Sequence, residues 1–187
     1  MSRTVGYLVY TDGFVREDTE WRNAWRGAPL LWGHIAKVYL DPKSPKGTNS
    51  YQLPSAQFLY NESVQSDLWK LADDETQPMH LRLAQKMCFD RAIVRREDFT
   101  VMADALDKTH NEIGNTMFAD QAAWLRQHAN NTEVIGACLD VTSVAESHWY
   151  HRDTDEDGEV FNTQLYNINC DEGHWFIKVD CVETPTP

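Results

Sequence analysis

Histidines near the C-terminus are the side chains whose chemistry best suits proton transfer or metal binding. His148 and His151 lie three residues apart, and His174 begins the last predicted strand. A spacing of three on a strand points two side chains to opposite faces, which weakens a shared metal site. The pattern therefore favours surface or hydrogen-bonded histidines. The same holds for His34 and His80, because both fall on predicted helices, where packing and surface roles are commoner than catalysis.

Carboxylates alternate along the stretch Asp153–Val160, which has the sequence DTDEDGEV. This stretch resembles the first half of an EF-hand calcium loop, which carries acidic residues at positions 1, 3 and 5 and glycine at position 6. The resemblance ends at the twelfth position, where Gln164 replaces the bidentate glutamate, and the flanking segments read as strands. The pattern favours an acidic hairpin turn in which Asp157 and Gly158 take positive φ angles. Weak calcium binding is the alternative.

Arginine and tryptophan are interleaved just after the first predicted strand. A helix is predicted over residues 18–26, so that Trp21 and Trp25 are i,i+4 neighbours with Arg22 and Arg26 beside them. Arginine and an aromatic ring together can stack a base and pair with a phosphate. Arg22, Trp25 and Arg26 are therefore the candidate anion-binding residues. Core packing of the tryptophans with a solvated arginine face is the competing interpretation.

Sequence motifs of the common enzyme classes are absent. The nine glycines are scattered and form no phosphate-binding loop. The chain contains no G-x-S-x-G motif, no H-E-x-x-H motif and no cysteine pair with zinc-ligand spacing. These absences favour a protein without catalytic residues, cofactor or metal, although unusual geometry can build a site without a motif.

Charge is distributed unevenly along the sequence. The net charge is −12, of which −10 lies after residue 132. By contrast, residues 77–96 hold five basic residues and one acidic residue, for a local charge of +4. Such an arrangement bears on partners and association rates rather than on the fold.

Hydrophobic periodicity changes from helical to alternating along the chain. A strand is predicted over residues 5–10, followed by helices, a short strand around residues 91–95 and further helices to residue 128. Four alternating segments follow from residue 133 onwards. This order predicts an α+β fold in which an N-terminal strand and several helices pack on a C-terminal antiparallel β-meander. The predicted core includes Phe99, Met102, Leu106, Trp175, Ile177 and Val179.

Length and composition indicate one globular domain spanning residues 1–187, because 42% of the residues are hydrophobic and 11% are aromatic. Within it, residues 41–57 are predicted to be a long flexible loop and residues 183–187 a disordered tail. No apolar run approaches the roughly 20 residues that span a bilayer, and no signal peptide is recognisable. Four cysteines without a disulfide pattern are expected to be reduced and mostly buried, which predicts a soluble, cytoplasmic protein.

These observations favour a non-enzymatic binding protein of the inhibitor type. Its acidic C-terminal face would dock on a basic partner protein, for instance at a nucleic-acid-binding site, where carboxylates compete with phosphates. Small accessory inhibitors that phages direct against host enzymes act in this way. The residues predicted to bind the partner are Asp153, Asp155, Glu156, Asp157 and Glu159.

Two alternatives use the basic residues instead. In the first, an enzyme or sensor binds a nucleotide or another small anion through Arg22, Arg26 and the Arg82–Arg96 cluster, with residues 41–57 as a lid. In the second, residues 77–96 bind nucleic acid directly, which the negative net charge disfavours. The sequence predicts neither a particular partner nor an oligomeric state.

Overall fold

The computed structural model describes residues 3–22, 27–36, 69–141 and 147–179. In chain order the strands are β1 (Arg3–Tyr10), β2 (Val15–Arg22), β3 (Ala92–Arg95), β4 (Val134–Asp140), β5 (Tyr150–Thr154), β6 (Val160–Leu165) and β7 (Trp175–Phe176). The helices are α1 (Ala28–Ile35), α2 (Met79–Lys86), α3 (Phe99–Ile113) and α4 (Thr116–His128), and one 3₁₀ turn, Arg96–Asp98, precedes α3.

Five strands form the main sheet in the order β2-β1-β4-β3-β7. Strand β1 pairs antiparallel with both β2 and β4, β3 pairs antiparallel with β4, and β7 runs parallel to β3. Strands β5 and β6 form a separate antiparallel two-stranded sheet. The chain therefore combines one mixed sheet with an independent β-hairpin.

Helices cover one face of the main sheet. Alternation along β1 and β4 sends Leu8, Ala137 and Leu139 to this face, where they pack in one cluster with residues of α3 and α4. Phe99, Met102 and Leu106 all lie on α3 and are at most 1% exposed. This cluster is the principal hydrophobic core, and it confirms the prediction that these three residues of α3 are buried.

The opposite face of the sheet is covered by the segments around the β5–β6 hairpin. Val5, Tyr7 and Val9 of β1 point to this side and pack with Trp149, which is fully buried. Tyr150, Tyr166, Ile168 and Phe176 are partly buried against the same cluster. The sheet thus lies between a helical layer and an aromatic layer that belongs to the C-terminal third of the chain.

The predicted α+β class is confirmed, as are β1, β3, α3, α4 and the strands on either side of the acidic turn. The predicted helix over residues 18–26 is wrong where the structure describes it, because Val15–Arg22 is the edge strand β2. Gly6 pairs with Thr19 and Tyr7 with Glu17, which leaves Asp18 as a bulge. Its carboxylate accepts a hydrogen bond from Trp124 Nε1 at 2.8 Å. The prediction failed because acidic residues, which are typical of the first turn of a helix, here lie on an edge strand.

The predicted continuous C-terminal meander is corrected by the strand order. Strand β4 lies inside the main sheet, β5 and β6 pair only with each other, and β7 returns to the far edge beside β3. The last strand is also shorter than predicted: Ile177 is buried and Val179 is partly buried, but Trp175 is 37% exposed. Trp175 lies at the sheet edge, where no further strand of the described chain covers it.

Several predictions lie outside the described residues. These are the loop over 41–57, the tail over 183–187, and the candidate site residues Trp25 and Arg26. None of the helices that the structure describes is long and apolar enough to cross a membrane.

Candidate functional site

The β5–β6 hairpin (Tyr150–Leu165) is anchored at its base by buried aromatic residues. Trp149 is fully buried, and its Nε1 donates to the carbonyl of Leu139 at 3.4 Å. Tyr166 then joins the hairpin to the main sheet, because its N–H donates to Trp149 O and its carbonyl accepts from the N–H of Val15, both at 2.9 Å. The base of the hairpin is therefore fixed to the turn between β1 and β2.

Beyond this base the hairpin is open to solvent. All six residues of β6 are exposed, and three of them are large and apolar: Val160 (49% exposed), Phe161 (70%) and Leu165 (40%). Phe161 is also the residue left unpaired where the register of β6 shifts against β5. An exposed apolar strand of this kind is a recognised feature of surfaces that bind other proteins.

The end of the hairpin is an acidic turn whose shape depends on Asp155. Its Oδ1 accepts hydrogen bonds from the N–H groups of Asp157 (3.1 Å) and Glu159 (2.8 Å). Its backbone N–H donates to Glu159 O at 3.0 Å, and Gly158 has φ of +82°. The hairpin-turn interpretation is therefore confirmed, although of the two residues predicted to have positive φ only Gly158 does.

The five residues predicted to bind a partner all lie in this hairpin but differ in their local roles. Asp153 accepts from Asn162 Nδ2 at 2.8 Å, and Asp155 holds the turn together. Glu156, Asp157 and Glu159 are exposed, and their carboxylates form no hydrogen bond or ion pair with the described residues. The hairpin contains five acidic residues and one basic residue, which gives a net charge of −4 with histidine neutral.

The calcium alternative depends on the same residues. In an EF-hand the loop joins two helices, whereas here it joins the two strands of a hairpin. Asp155, at the third position of the loop, already accepts from two amides of its own turn. The described residues contain no group of three or more His, Cys, Asp or Glu arranged to hold a metal ion.

The basic residues proposed to bind an anion do not come together. Arg22 is the last residue of edge strand β2, and its side chain is 79% exposed. In the 77–96 segment, Arg82 and Lys86 are buried on α2, while Arg91 and Arg95 lie at either end of β3. Within the described residues this segment is therefore not one continuous basic surface.

A cleft lies at the base of the hairpin, and sequence reasoning did not find it. Its volume is about 640 Å³, and Arg91, His148, His151 and Gln164 contribute to its lining. His148 Nε2 lies 3.3 Å from Asp90 Oδ1, and His151 Nε2 lies 3.1 Å from Asp153 Oδ1. The two histidines thus line one cleft and each lies close to a carboxylate, while His174 instead contacts Tyr166 and Asp171.

A buried carboxylate lies beside this cleft. Asp140, at the end of β4, is hydrogen-bonded by the hydroxyls of Tyr7 and Ser147, and Ser147 also lines the cleft. Burial raises the pKa of Asp140, although the bond from Ser147 opposes that rise. Burial also raises the pKa of Tyr7. This network fixes Ser147 and the start of the hairpin to the sheet.

The helical layer contains a second polar cluster that the sequence did not reveal. One carboxylate oxygen of Glu112 on α3 is hydrogen-bonded to His34 Nε2 of α1 at 2.6 Å. The other oxygen is hydrogen-bonded to His80 Nε2 of α2 at 2.7 Å. Burial raises the pKa of Glu112, but these two hydrogen bonds outweigh burial and the pKa is lowered. Because an ionised carboxylate only accepts, each Nε2 must carry a hydrogen. One carboxylate therefore ties three helices together.

Two of the described cysteines, Cys88 and Cys138, are not activated as nucleophiles. Burial raises the pKa of Cys88 to about 12 and raises that of Cys138, so both thiols stay protonated at neutral pH. Cys88, Cys138 and Cys170 are all free. Among the described cysteines, the prediction that they are mostly buried holds fully for Cys138, whereas Cys88 is intermediate and Cys170 is exposed. Cys181 lies outside the described residues.

Comparison of the chain with protein-family models, with curated proteins and with solved structures finds no match.

Proposed function

We propose that this chain is a non-enzymatic binding protein whose β5–β6 hairpin docks on a basic surface of a partner protein. The observation that carries the proposal is the exposure of β6, where Phe161 is 70% exposed directly after an acidic turn. Folding rarely leaves an aromatic side chain so exposed beside further apolar side chains unless the surface has a use. A partner that covered this strand would bury Phe161 together with Val160 and Leu165.

Charge selects the kind of partner. The carboxylates of Glu156, Asp157 and Glu159 have no partner among the described residues, so they are available to lysine or arginine of another protein. Complementary charge increases the rate of encounter and excludes wrong partners more than it adds affinity. Phe161 would supply the desolvated contact, and the carboxylates would guide the approach. A nucleic-acid-binding protein is the favoured partner class, because its surface is built to attract phosphate.

The base of the hairpin makes this surface suitable for binding. Trp149 and the backbone bonds of Tyr166 fix both ends of the hairpin to the main sheet. Asp155 fixes the turn at the other end. A surface that is already ordered loses less conformational entropy when it binds. The hairpin would therefore contact its partner without folding first.

The test uses two triple variants with the same change in charge. Glu156→Lys, Asp157→Lys and Glu159→Lys alter the hairpin while leaving the turn-forming Asp155 intact. Glu97→Lys, Asp120→Lys and Glu133→Lys change three exposed carboxylates elsewhere. Proteins captured from lysate by the wild type at low salt are identified by mass spectrometry, and the binding kinetics of each purified candidate are then measured.

The proposal requires that a basic protein is retained by the wild type and the control variant but lost by the hairpin variant. Its association rate should fall at least several-fold as salt rises, since exposed charges are screened beyond about 8–10 Å at physiological ionic strength. Phe161→Ser should accelerate dissociation and leave the association rate nearly unchanged. Equal retention by both triple variants would show that the hairpin does not dock.

A further inference from the structure

The cleft at the base of the hairpin has a lining that differs in charge from the rest of the molecule. The chain carries a net charge of −12. Among the described residues that line the cleft, none is acidic, whereas Arg91, His148 and His151 all contribute basic groups. Tyr150, Tyr166 and Leu165 supply aromatic and apolar wall. The cleft is therefore a locally basic and partly apolar cavity in an acidic protein.

Arg91 contacts both a carboxylate and an aromatic ring. It has φ of +56° and is the only non-glycine residue with positive φ in the described chain. Such a backbone is costly for a side chain with a Cβ and persists where surrounding contacts fix it. Here the guanidinium pairs with Asp171 at 3.1 Å and stacks on the ring of Tyr166, 5.2 Å from its centroid. The strained backbone places this guanidinium at the wall of the cleft.

Carboxylates orient the three basic side chains from outside the cleft. Asp171 pairs with Arg91, Asp90 lies 3.3 Å from His148 Nε2, and Asp153 lies 3.1 Å from His151 Nε2. None of the three aspartates lines the cavity. A carboxylate this close to an imidazole restrains the position of the ring. A guanidinium has five N–H donors, more than Asp171 can accept.

From this arrangement we propose that the cleft binds a small organic molecule carrying an oxyanion, either a phosphate monoester or a carboxylate. The oxyanion lies against Arg91 and the two imidazoles, and the organic part lies against Tyr150, Tyr166 and Leu165. A volume of about 640 Å³ falls within the range of about 300–1,000 Å³ found for small-molecule sites. The cleft shares Leu165 with the apolar side chains proposed to meet a partner, but no residue of the acidic turn lines it. Variants of Gln164 and Arg91 therefore test the cleft, whereas the lysine variants of Glu156, Asp157 and Glu159 test docking.

Three related probes separate the chemistry of the ligand. Phenyl phosphate carries a phosphate on a phenyl ring, and benzoate carries a carboxylate on the same kind of ring. Benzyl alcohol has the ring but no anionic group. Each is titrated into the full chain while the histidine ring signals are followed by NMR. We expect phenyl phosphate, benzoate or both to shift the His148 and His151 signals saturably at millimolar concentration or below. Benzyl alcohol should leave these signals unchanged.

The decisive variants lie next to each other on the exposed strand β6. Gln164→Glu introduces a carboxylate into the lining, whereas Thr163→Glu makes the same change of charge one residue away, outside the lining. The first should weaken binding of the anionic probes at least tenfold, and the second should leave it within about twofold. Arg91→Gln should act like Gln164→Glu, with Arg95→Gln as its control, because Arg95 stacks on Phe176 instead.

Arg91→Gln also removes the ion pair with Asp171 and with it some stability. If Arg91→Gln does not fold, the result for Gln164→Glu alone decides whether the cleft binds the anionic probes. No saturable shift with either anionic probe would overturn the proposal. Equal weakening by Gln164→Glu and Thr163→Glu would also overturn it, because a general charge effect would then explain the result. Equal binding of benzyl alcohol would show an apolar pocket rather than an oxyanion site.

Discussion

Strand β1 of the main sheet and strand β6 of the hairpin are of similar length but lie in opposite environments. In β1 six of eight residues are buried, whereas in β6 all six residues are exposed. Strand β1 is covered by helices on one side and by aromatic side chains on the other. Strand β6 is held by its partner β5, by the turn and by the anchored base. The main sheet therefore supplies stability, and the hairpin supplies accessible surface.

The largest expected difference in unfolding free energy is between substitutions at a buried apolar residue, Leu106, and at an exposed one, Phe161. Leu106→Asp should cost more than about 4 kcal/mol of unfolding free energy, because it buries an unpaired carboxylate at a side chain that is 1% exposed. That loss approaches the whole stability of a typical domain. Phe161→Asp, at 70% exposure, should change the unfolding free energy by about 0.5 kcal/mol or less. Urea unfolding measures both, and a large loss in Phe161→Asp would mean that the hairpin contributes to the core.

A second contrast uses two glycines with nearly the same backbone. Gly13 (φ +84°) lies in the turn between β1 and β2, to which the base of the β5–β6 hairpin is fixed. Gly158 (φ +82°) lies at the tip of that hairpin. A Cβ at Gly13 would collide with Asn169 and come within 2.6 Å of Asn167 Oδ1, whereas at Gly158 nothing lies within 4 Å. Gly13→Ala should therefore cost about 2–3 kcal/mol and Gly158→Ala about 1 kcal/mol. Equal losses in thermal melts would remove the distinction between base and tip.

A third prediction concerns the polar cluster of the helical layer. Glu112→Gln should destabilise the fold by about 1–2 kcal/mol, because an amide has only one oxygen for the two imidazole donors and loses the charge. The same substitution at exposed Glu97 is the control and should stay within about 0.5 kcal/mol. Chemical unfolding at neutral pH compares the two variants. Identical curves would mean that Glu112 does not hold the three helices together.

The smallest effect is a change in pH dependence at Asp140. Its pKa is raised in the folded protein, so between its unfolded and folded pKa values the native state binds more protons. The wild type should accordingly lose stability relative to Asp140→Asn as pH rises through that window, and the loss should persist at higher pH. Melting curves from pH 4 to pH 8 measure this difference.

The control for that prediction removes a donor to the same carboxylate. The hydrogen bond from Ser147 lowers the pKa of Asp140 in the folded protein, so Ser147→Ala should extend the upper end of the window to higher pH. A stability difference between Asp140→Asn and wild type that does not vary with pH would contradict the raised pKa.

Local patterns predicted the elements whose signal lies within one segment. The 3.6-residue period of α3 and the Asp-Gly pair at the hairpin tip were both sufficient. Strand β2 was missed because Glu17, Asp18 and Glu20 give an edge strand the composition of a helix start. The pairing of β7 with β3 joins residues about eighty positions apart, and no local pattern encodes such a contact.

The candidate site shows the same division. The acidic turn was predicted from a run of eight residues, and its residues lie where the sequence placed them. The cleft was missed because its lining residues are far apart in sequence. Arg91 comes from the segment before β3, whereas the other lining residues of the cleft come from residues 147–166. Glu112, His34 and His80 are likewise far apart in sequence and meet only through helix packing.

The bulged edge strand β2 has a consequence for how copies of this protein behave at high concentration. An open sheet edge exposes backbone N–H and C=O groups that can recruit a strand from a neighbouring molecule. Here one edge carries Arg16, Glu17, Asp18 and Glu20 and is interrupted by a bulge, and the opposite edge, β7, is only two residues long. Within the part of the chain that the structure describes, neither edge of the main sheet therefore offers a template for fibre growth. Concentrated solutions should accordingly resist ordered aggregation through this sheet.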